Sequence, residues 1–265
     1  MELFPRFVKP GNLIIKKLYD SAESSQSTFE PLVPNTPGLR EQLVSFVKSI
    51  NDAGGSYHRL SFGSGIVMEG EYDIRKYIDN YGVPKNLSGK SVLDIGTGTG
   101  FFALECIRRG AQVTAIDIWN ADFYNKIREI LCLNLKYIRK NIYELDESFG
   151  KFDLVICGSL LLHLRDVFGA IERIYSVCKR EAIIATASIE SQECNDRALC
   201  EFVGLKNTSI EGEYWVYWHL NALALQKMLL ASGFSEAHEV GQFVLESEPG
   251  KSGFAVPHVV VKAVI

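Results

Sequence analysis

The sequence lacks the features that mark membrane, secreted and strongly nucleic-acid-binding proteins. It contains no run of about 18 apolar residues, so it predicts no transmembrane helix. Residues 1–5 begin neither the basic nor the apolar region of a signal peptide. No charge of one sign dominates, because 28 basic residues against 32 acidic ones give a net charge of −4. That balance disfavours a strongly basic nucleic-acid binder, and we expect a cytoplasmic protein without a membrane segment.

Cysteine is present, but without the spacing of a disulfide or zinc framework. None of the six cysteines forms a C-x-x-C pair, and no histidine stands at zinc-ligand spacing from two of them. Such cysteines are typical of buried thiols in a reducing compartment, and we expect no metal site. They are Cys106, Cys132, Cys157, Cys178, Cys194 and Cys200.

The chain divides in two by pattern. Residues 1–90 are irregular, with helical spacing of apolar residues at 12–21, 39–50 and 73–81 and a polar, proline-rich loop over 24–37. This part is predicted to be a helical extension that forms a lid.

Residues 91–265 instead alternate short β-branched runs with helical runs, which is typical of a parallel sheet with crossover helices. The last two strands, 237–245 and 255–265, are joined by a loop rich in proline and glycine and are expected to pair antiparallel. The predicted fold is therefore α/β, with a Rossmann-like seven-stranded mixed sheet, an antiparallel last strand and flanking helices. The other expected strands are 91–95, 112–118, 135–142, 152–157 and 181–189, and the expected helices are 101–109, 121–132, 166–178 and 221–232.

A glycine-rich turn follows the first strand of this sheet. Residues 92–100 read V-L-D-I-G-T-G-T-G, and glycines there allow the backbone to approach a ligand closely. Asp117 lies 21 residues after Gly96, at the end of the next strand. A carboxylate at that position can accept hydrogen bonds from both hydroxyls of a ribose. Together these features predict a nucleoside cofactor at the carboxyl edge of the sheet.

Two cofactor classes compete for this turn, and a tight turn without any ligand is a third interpretation. Residues 98–103 fit the dinucleotide pattern G-x-G-x-x-A. Three observations favour S-adenosylmethionine (SAM). Asp94 would repel a pyrophosphate but could accept from a cationic amino-acid ligand. Phe101 and Phe102 crowd the helix start that should receive phosphates, and a classical dinucleotide fold does not require the antiparallel pair at the end of the chain.

The chain resembles known methyltransferases over residues 57–240. Residues 92–118 resemble motif I and the acidic second-strand tip of class I SAM-dependent methyltransferases. Residues 57–67 (Y-H-R-L, then G-I-V), 87–96 and 152–166 are similar to a narrower group, the methyltransferases related to the wobble-uridine tRNA carboxymethyltransferase.

The resemblance implies roles at the cofactor for matching positions. The glycine turn would line the methionine part, Asp117 would bind the ribose, and Ile118 would pack on the adenine. Asn141 stands where the family usually has an acid, and its side-chain oxygen can still accept from the adenine amine. Tyr72 and Trp119 could cover the cofactor. The residues expected there are Tyr72, Asp94, Gly96, Thr97, Gly98, Gly100, Asp117, Ile118, Trp119, Asn141, Ile142, Cys157 and Ser159.

Methyl transfer itself requires alignment of the reactants, and removal of a proton if the acceptor is a hydroxyl or an ammonium group. His163 follows Cys157 by six residues, near the carboxyl edge of the fourth strand. His58 lies in the segment that resembles the narrower group. Both histidines are candidate bases, and both could instead pack in the core. The segment 214–219 (Y-W-V-Y-W-H) could wall a pocket for a planar or apolar acceptor, or pack as an apolar lid. Its candidate substrate contacts are Tyr214, Trp215, Trp218 and His219.

Three functions remain open from the sequence. The first is transfer of a methyl group from SAM to an oxygen or nitrogen of a small molecule, by a protein that could be a homodimer. The second is modification of wobble uridine in tRNA, which requires a basic surface and, for carboxy-SAM, a cation beside the methyl. Basic clusters are sparse, the longest being residues 136–140. The third is a non-catalytic SAM-binding protein, which residues 214–219 would favour if they filled the acceptor site.

Overall fold

The computed structural model describes residues 32, 34, 36–120, 122–189, 196–209 and 212–265. The predicted helix at 12–21 and most of the predicted 24–37 loop lie outside these residues. The helices are α1 (Pro37–Asp52), α2 (Phe101–Arg108), α3 (Asp122–Leu131), α4 (Val167–Val177) and α5 (Ala222–Ala231). The strands are β1 (Ser56–His58), β2 (Leu60–Gly63), β3 (Ile66–Met68), β4 (Gly70–Tyr72), β5 (Ser91–Ile95), β6 (Gln112–Asp117), β7 (Leu135–Arg139), β8 (Phe152–Gly158), β9 (Cys178–Ala187), β10 (Cys200–Ser209), β11 (Gly212–Leu220), β12 (Glu236–Glu246) and β13 (Ala255–Val264). Short 3-10 helices span Ile74–Tyr81, Ile142–Glu144, Glu147–Phe149 and Leu161–His163.

Seven strands form the predicted mixed sheet. Their order is β12-β13-β9-β8-β5-β6-β7, and β13 runs antiparallel to both of its neighbours. The remaining neighbours pair in parallel. The order confirms the predicted fold class, including the antiparallel last strand.

Helices cover both faces of this sheet, which explains the apolar runs in its central strands β5, β8 and β9. Successive residues of a strand point to opposite faces. Val92 of β5 accordingly belongs to a cluster with Phe102 of α2, whereas Leu93 belongs to a second cluster with Ile171 of α4. The sheet is therefore packed on both faces, and its carboxyl edge carries the loops.

The amino-terminal part differs from the prediction. Helix α1 and the 3-10 helix Ile74–Tyr81 occupy the expected positions, but residues 56–72 form four short strands, so the expectation of a mostly helical extension is wrong there. Strand β1 pairs with β4 and β2 with β3. Leu43 and Phe62 join the same apolar cluster as Phe102 of the core. The lid role of residues 1–90 stays a prediction.

A β-hairpin replaces the aromatic insertion that the sequence left without secondary structure. Strands β10 and β11 pair antiparallel, with an irregularity between Phe202 and Leu205. The hairpin lies against the turn after β8, because Trp218 Nε1 donates to the Arg165 carbonyl at 3.2 Å. The Arg165 guanidinium in turn donates to the Tyr217 hydroxyl at 3.1 Å. These contacts bring the hairpin to the carboxyl edge of the sheet.

The structure describes five of the six cysteines. Cys106, Cys157 and Cys178 are buried as expected, whereas Cys132 and Cys200 are exposed, so that expectation is wrong for these two. Cys194 lies outside the described residues. None of the described helices has the length and apolar character needed to cross a membrane.

Candidate active site

A cavity of about 360 Å³ opens at the carboxyl edge of the parallel strands. Residues that end or follow four adjacent strands line it: Gly96 after β5, Asp117 in β6, Asn141 after β7 and Ser159 after β8. Open α/β sheets bind their ligands at this edge, outside the carboxyl ends of the strands. The sequence predicted all four residues at the cofactor.

The glycine turn brings the backbone to the floor of the cavity. Gly96 and Gly98 both have positive φ values, +70° and +54°. A Cβ atom on Gly96 would lie 3.0 Å from Leu160 Cδ2, and one on Gly98 would lie 3.2 Å from His58 Cε1. Glycine is therefore required here both by conformation and by space.

Three residues predicted at the cofactor, Asp94, Thr97 and Gly100, instead stabilise the glycine turn from the side away from the cavity. Asp94 Oδ2 accepts hydrogen bonds from Thr97 Oγ1 at 2.6 Å and from the Ala103 amide at 3.0 Å. Asp94 is only 1% exposed, and burial raises its pKa to about 7. Gly100, with a positive φ, is the N-cap of α2. None of these three is among the described residues that line the cavity, and direct contact with a cofactor stays a prediction for them.

The Asp117 carboxylate orders the ends of two adjacent strands. Its Oδ2 accepts from the Gly98 amide at 2.9 Å and its Oδ1 from the Ile118 amide at 2.7 Å. Burial raises the pKa of this carboxyl, and the bonds from the backbone oppose that shift. Each carboxylate oxygen has a second lone pair, so Asp117 can still accept from the two hydroxyls of a ribose.

Beside Asp117, large apolar side chains stand exposed at the cavity. Ile118 is 51% exposed and Trp119 is 49% exposed, and both line the cavity together with Ile142. Their position suits the planar apolar face of an adenine. Asn141 lies next to them, and its side-chain oxygen accepts from the Tyr143 amide at 3.1 Å.

His163 lies at the other side of the cavity, after β8. Its Nδ1 is 2.8 Å from the Trp215 carbonyl oxygen. A carbonyl only accepts hydrogen bonds, so Nδ1 carries the proton and Nε2 of the neutral ring carries the lone pair. Burial lowers the pKa of His163 from 6.5, which keeps the ring neutral at pH 7. This arrangement suits a base.

The hairpin contributes one aromatic face to the cavity. Trp215 and Tyr217 both line it, and their rings lie 6.0 Å apart and nearly parallel. Side chains alternate along β11, so residues two apart share a face. Sequence reasoning did not include Tyr217 as a site residue, although its spacing from Trp215 carried that signal.

The structure does not bring Trp218 and His219 to the cavity. Trp218 points to the opposite face of β11 and packs edge-on against Phe202, with ring centroids 5.2 Å apart. The Nδ1 atom of His219 lies 3.4 Å from the Glu201 carboxylate. The Tyr214 side chain lies outside the described part of the chain.

Among the remaining predicted residues, His58 lines the cavity and Tyr72 and Cys157 do not. Tyr72 packs edge-on against Tyr57, with ring centroids 5.2 Å apart. Cys157 is 0% exposed inside β8. Ser159, which lines the cavity, has a positive φ of 72°, uncommon for a residue other than glycine.

Several cavity residues were not predicted, because segments far apart in the sequence bring them together. They share no local motif and come from the amino-terminal part, from the loop after β7, from the turn after β8 and from β12. They are Tyr57, Ile74, Tyr81, Lys140, Leu160, Leu164 and Leu245.

Residues 92–181 match the protein-family model described as a methyltransferase domain. This segment is therefore similar to known methyltransferase domains. It spans β5 to β9, the part that supplies the glycine turn, Asp117 and His163. The predicted methyltransferase class is confirmed at the level of this domain.

Curated relatives share part of the chain. The ubiquinone biosynthesis O-methyltransferase of Acinetobacter baylyi is 34% identical over 98 residues, which cover 35% of this chain and 41% of that relative. The enzyme of the same name from Rickettsia akari is 34% identical over 102 residues, covering 37% and 38% of the two chains. The chain thus matches less than half the length of these relatives.

Solved structures confirm the fold over a longer span. The N-terminal domain of EvdMO1, solved with SAH bound, has a TM-score of 0.57 and 16% identity, and the match covers 83% of this chain and 95% of that one. A putative SAM-dependent methyltransferase from Listeria monocytogenes has a TM-score of 0.50 and 15% identity, with 69% and 93% covered. At this level of identity the likeness supports the fold.

Proposed function

We propose that the protein is a SAM-dependent methyltransferase that methylates an oxygen of a small, uncharged molecule. The observation that carries this proposal is a continuous cavity along the sheet edge, with Asp117 on one side of the glycine turn and His163 on the other. The partial relatives named as O-methyltransferases support oxygen as the acceptor atom.

The described residues fit SAM. The floor at Gly96 and Gly98 has no room for side chains, Asp117 offers two carboxylate oxygens, and the exposed Ile118 and Trp119 offer an apolar face. When bound, SAM supplies a methyl group already activated on a sulfonium. The protein therefore has to orient the acceptor, exclude water and manage one proton.

His163 is the residue we assign to the proton. In its neutral tautomer, Nε2 can take the proton of an acceptor hydroxyl, while Nδ1–H to the Trp215 carbonyl fixes the ring and stabilises the imidazolium. The cavity wall formed by Trp215, Tyr217 and Leu164 is largely apolar. It would bind a planar or apolar acceptor and exclude water from the hydroxyl.

The position of the hairpin also supports an enzyme rather than a non-catalytic SAM-binding protein. Trp215 and Tyr217 line the cavity and leave it open beside His163. A binding protein with a closed acceptor site would have these side chains fill that space.

Modification of wobble uridine in tRNA is the second candidate. It requires a basic surface and, for carboxy-SAM, a cation beside the methyl. Among the described residues that line the cavity, Lys140 is the one with a permanent positive charge, and it follows β7, on the Asp117 side. Ordinary SAM and a small acceptor are therefore favoured. A homodimer stays a prediction.

The test is direct. Calorimetry should show that SAM binds the full chain, and incubation of the protein with methyl-labelled SAM and a metabolite extract should give an O-methylated small molecule in mass spectrometry. Absence of SAM binding would overturn the assignment of SAM as the cofactor. A gel shift with tRNA that weakens steeply with salt, together with transfer of the labelled methyl group to tRNA, would overturn the assignment of a small molecule as the acceptor.

A further inference from the structure

Arg165 holds the aromatic hairpin against the turn that follows β8. Strands β10 and β11 form a two-stranded sheet of their own, so the position of the hairpin depends on contacts outside it. The Arg165 side chain donates from Nε to the Tyr217 hydroxyl at 3.1 Å, and its main-chain carbonyl accepts from Trp218 Nε1 at 3.2 Å. Since neighbouring residues of a strand point to opposite faces, this one residue contacts side chains from both faces of β11.

The bond from the Arg165 side chain fixes one half of the aromatic wall. Tyr217 and Trp215 line the cavity, with ring centroids 6.0 Å apart and planes 13° from parallel. Trp215 is 42% exposed, so packing against the core does not hold this wall by itself. The guanidinium carbon of Arg165 also lies 5.7 Å from the centroid of the Tyr217 ring, within the range of a cation–π contact. Two kinds of contact from Arg165 therefore keep the Tyr217 ring in line with that of Trp215.

Arg165 acts on the cavity from outside it. Its neighbours His163 and Leu164 line the cavity, whereas Arg165 is not one of the described residues that do, and its side chain is exposed. An aromatic side chain that is already ordered loses less conformational entropy when a ligand packs on it. A residue that orders Tyr217 thus strengthens the binding of a planar acceptor without touching that acceptor.

We propose that Arg165 is a positioning residue for the acceptor, because through the Tyr217 hydroxyl it holds the stacked wall on which a planar, uncharged acceptor packs. The inference rests on the proposed function and adds a determinant of acceptor binding. The base does not depend on this side chain, since His163 bonds to the Trp215 carbonyl. Removal of the Arg165 side chain should therefore change the binding of the acceptor and not the transfer of its proton.

A double-mutant cycle tests the link between the two side chains. Arg165→Met keeps the apolar stem of the side chain and removes its donors, and Tyr217→Phe keeps the ring and removes the hydroxyl. The probe is a metabolite extract diluted in series with an excess of methyl-labelled SAM, so that the half-saturating dilution gives the relative KM. Each single variant should raise this KM by about 5-fold, the effect of losing a typical hydrogen bond. The double variant should also raise it by about 5-fold, and not by the roughly 25-fold expected of independent residues.

Other measurements distinguish positioning from a general loss of structure. The kcat, its pH profile and the affinity for SAM in calorimetry should match those of the wild type in all three variants, because the main-chain bonds of the hairpin remain. Arg165→Lys can still donate to the hydroxyl and should recover part of the loss. Arg128→Met, at an exposed position of α3, is the matched control and should leave KM unchanged.

The possible results separate the alternatives. An unchanged KM in Arg165→Met would overturn the proposal, and so would a roughly 25-fold increase in the double variant, which would show that the two residues act separately. An increase in Tyr217→Phe without one in Arg165→Met would assign the hydroxyl to the acceptor itself and overturn the positioning role. A decrease in kcat together with a lower thermal stability would replace that role with a structural one. If the wild type binds SAM but labels no molecule of the extract, the proposed function is contradicted, and the inference with it.

Discussion

The two sides of the cavity are built in different ways. On the Asp117 side, carboxylate oxygens accept from the backbone amides of Gly98 and Ile118, and each contact joins residues close to a strand end. On the His163 side, the turn after β8 meets a hairpin 52 residues further along the chain, through the Trp215 carbonyl. The first side is held by backbone geometry, and the second is assembled by side chains on separate segments.

This difference separates a general task from a specific one. Every molecule of the cofactor has the same shape, so a site fixed by glycines and backbone amides can bind it without adjustment. The acceptor is the part that distinguishes one methyltransferase from another, and loops and insertions on a rigid scaffold supply such specificity. The comparison predicts that substitutions on the Asp117 side change cofactor binding and that those on the His163 side change turnover or acceptor binding.

Asp117→Ala should have the largest effect. It removes two hydrogen bonds from ribose to a carboxylate and frees the amides that order the turn, so SAM affinity should fall by about 1,000-fold, to the detection limit of calorimetry. Asp122→Ala, exposed at the start of α3, is the control and should bind normally. If Asp117→Ala binds SAM with the affinity of the wild type, the cofactor does not bind at this side of the cavity.

His163→Gln should separate turnover from binding. Loss of a general base should lower kcat by about 100-fold while SAM affinity stays unchanged. Because burial lowers the pKa of His163, the wild-type kcat should begin to decrease at a lower pH than it would with a histidine of ordinary pKa. His238→Gln is the matched control. A pH profile that is the same in His163→Gln and in the wild type would show that His163 does not take the proton.

Trp215→Ala should affect the acceptor alone. Removing this aromatic wall should raise the KM of the acceptor by about 10-fold, with SAM affinity unchanged. Trp218→Ala removes a ring of similar size from the opposite face of β11, where it packs on Phe202. It should lower thermal stability, and because its indole also donates to the Arg165 carbonyl that positions the hairpin, it should raise KM by less than Trp215→Ala does. Equal KM changes in the two variants would contradict the assignment of one face to the acceptor.

Gly96→Ala should have the smallest effect of the four. Gly89 also has a positive φ, +72°, but a Cβ atom there would meet nothing within 4 Å, so both alanine variants carry the same kind of backbone strain. Only Gly96→Ala adds a collision with Leu160. We expect it to be less stable than Gly89→Ala by about 1 kcal/mol in urea unfolding. Equal stabilities would show that Leu160 moves freely.

Sequence patterns predicted the sheet because its central strands contain apolar runs between turn signals, and they predicted Asp117 because one motif fixes its position. They did not predict β1–β4, whose three or four residues are too short to show alternation. The hairpin was also missed, so Trp218 and His219 were expected at the substrate beside Trp215. Side chains alternate between the two faces of a strand, so the faces of neighbouring aromatic residues can be assigned only once the strand itself has been predicted. Contacts between distant segments, such as Tyr57 with the glycine turn, leave no local pattern.

His163 bonds to the main-chain oxygen of residue 215 and not to its side chain. The side chain at this position can therefore change during evolution without loss of the bond. Any amino acid at position 215 offers the same carbonyl, so the indole can be exchanged without altering the tautomer of the histidine. Acceptor choice and proton transfer are thereby encoded by different atoms of one residue. A library of variants at position 215 should consequently yield altered acceptor preference among proteins that all retain the chemistry.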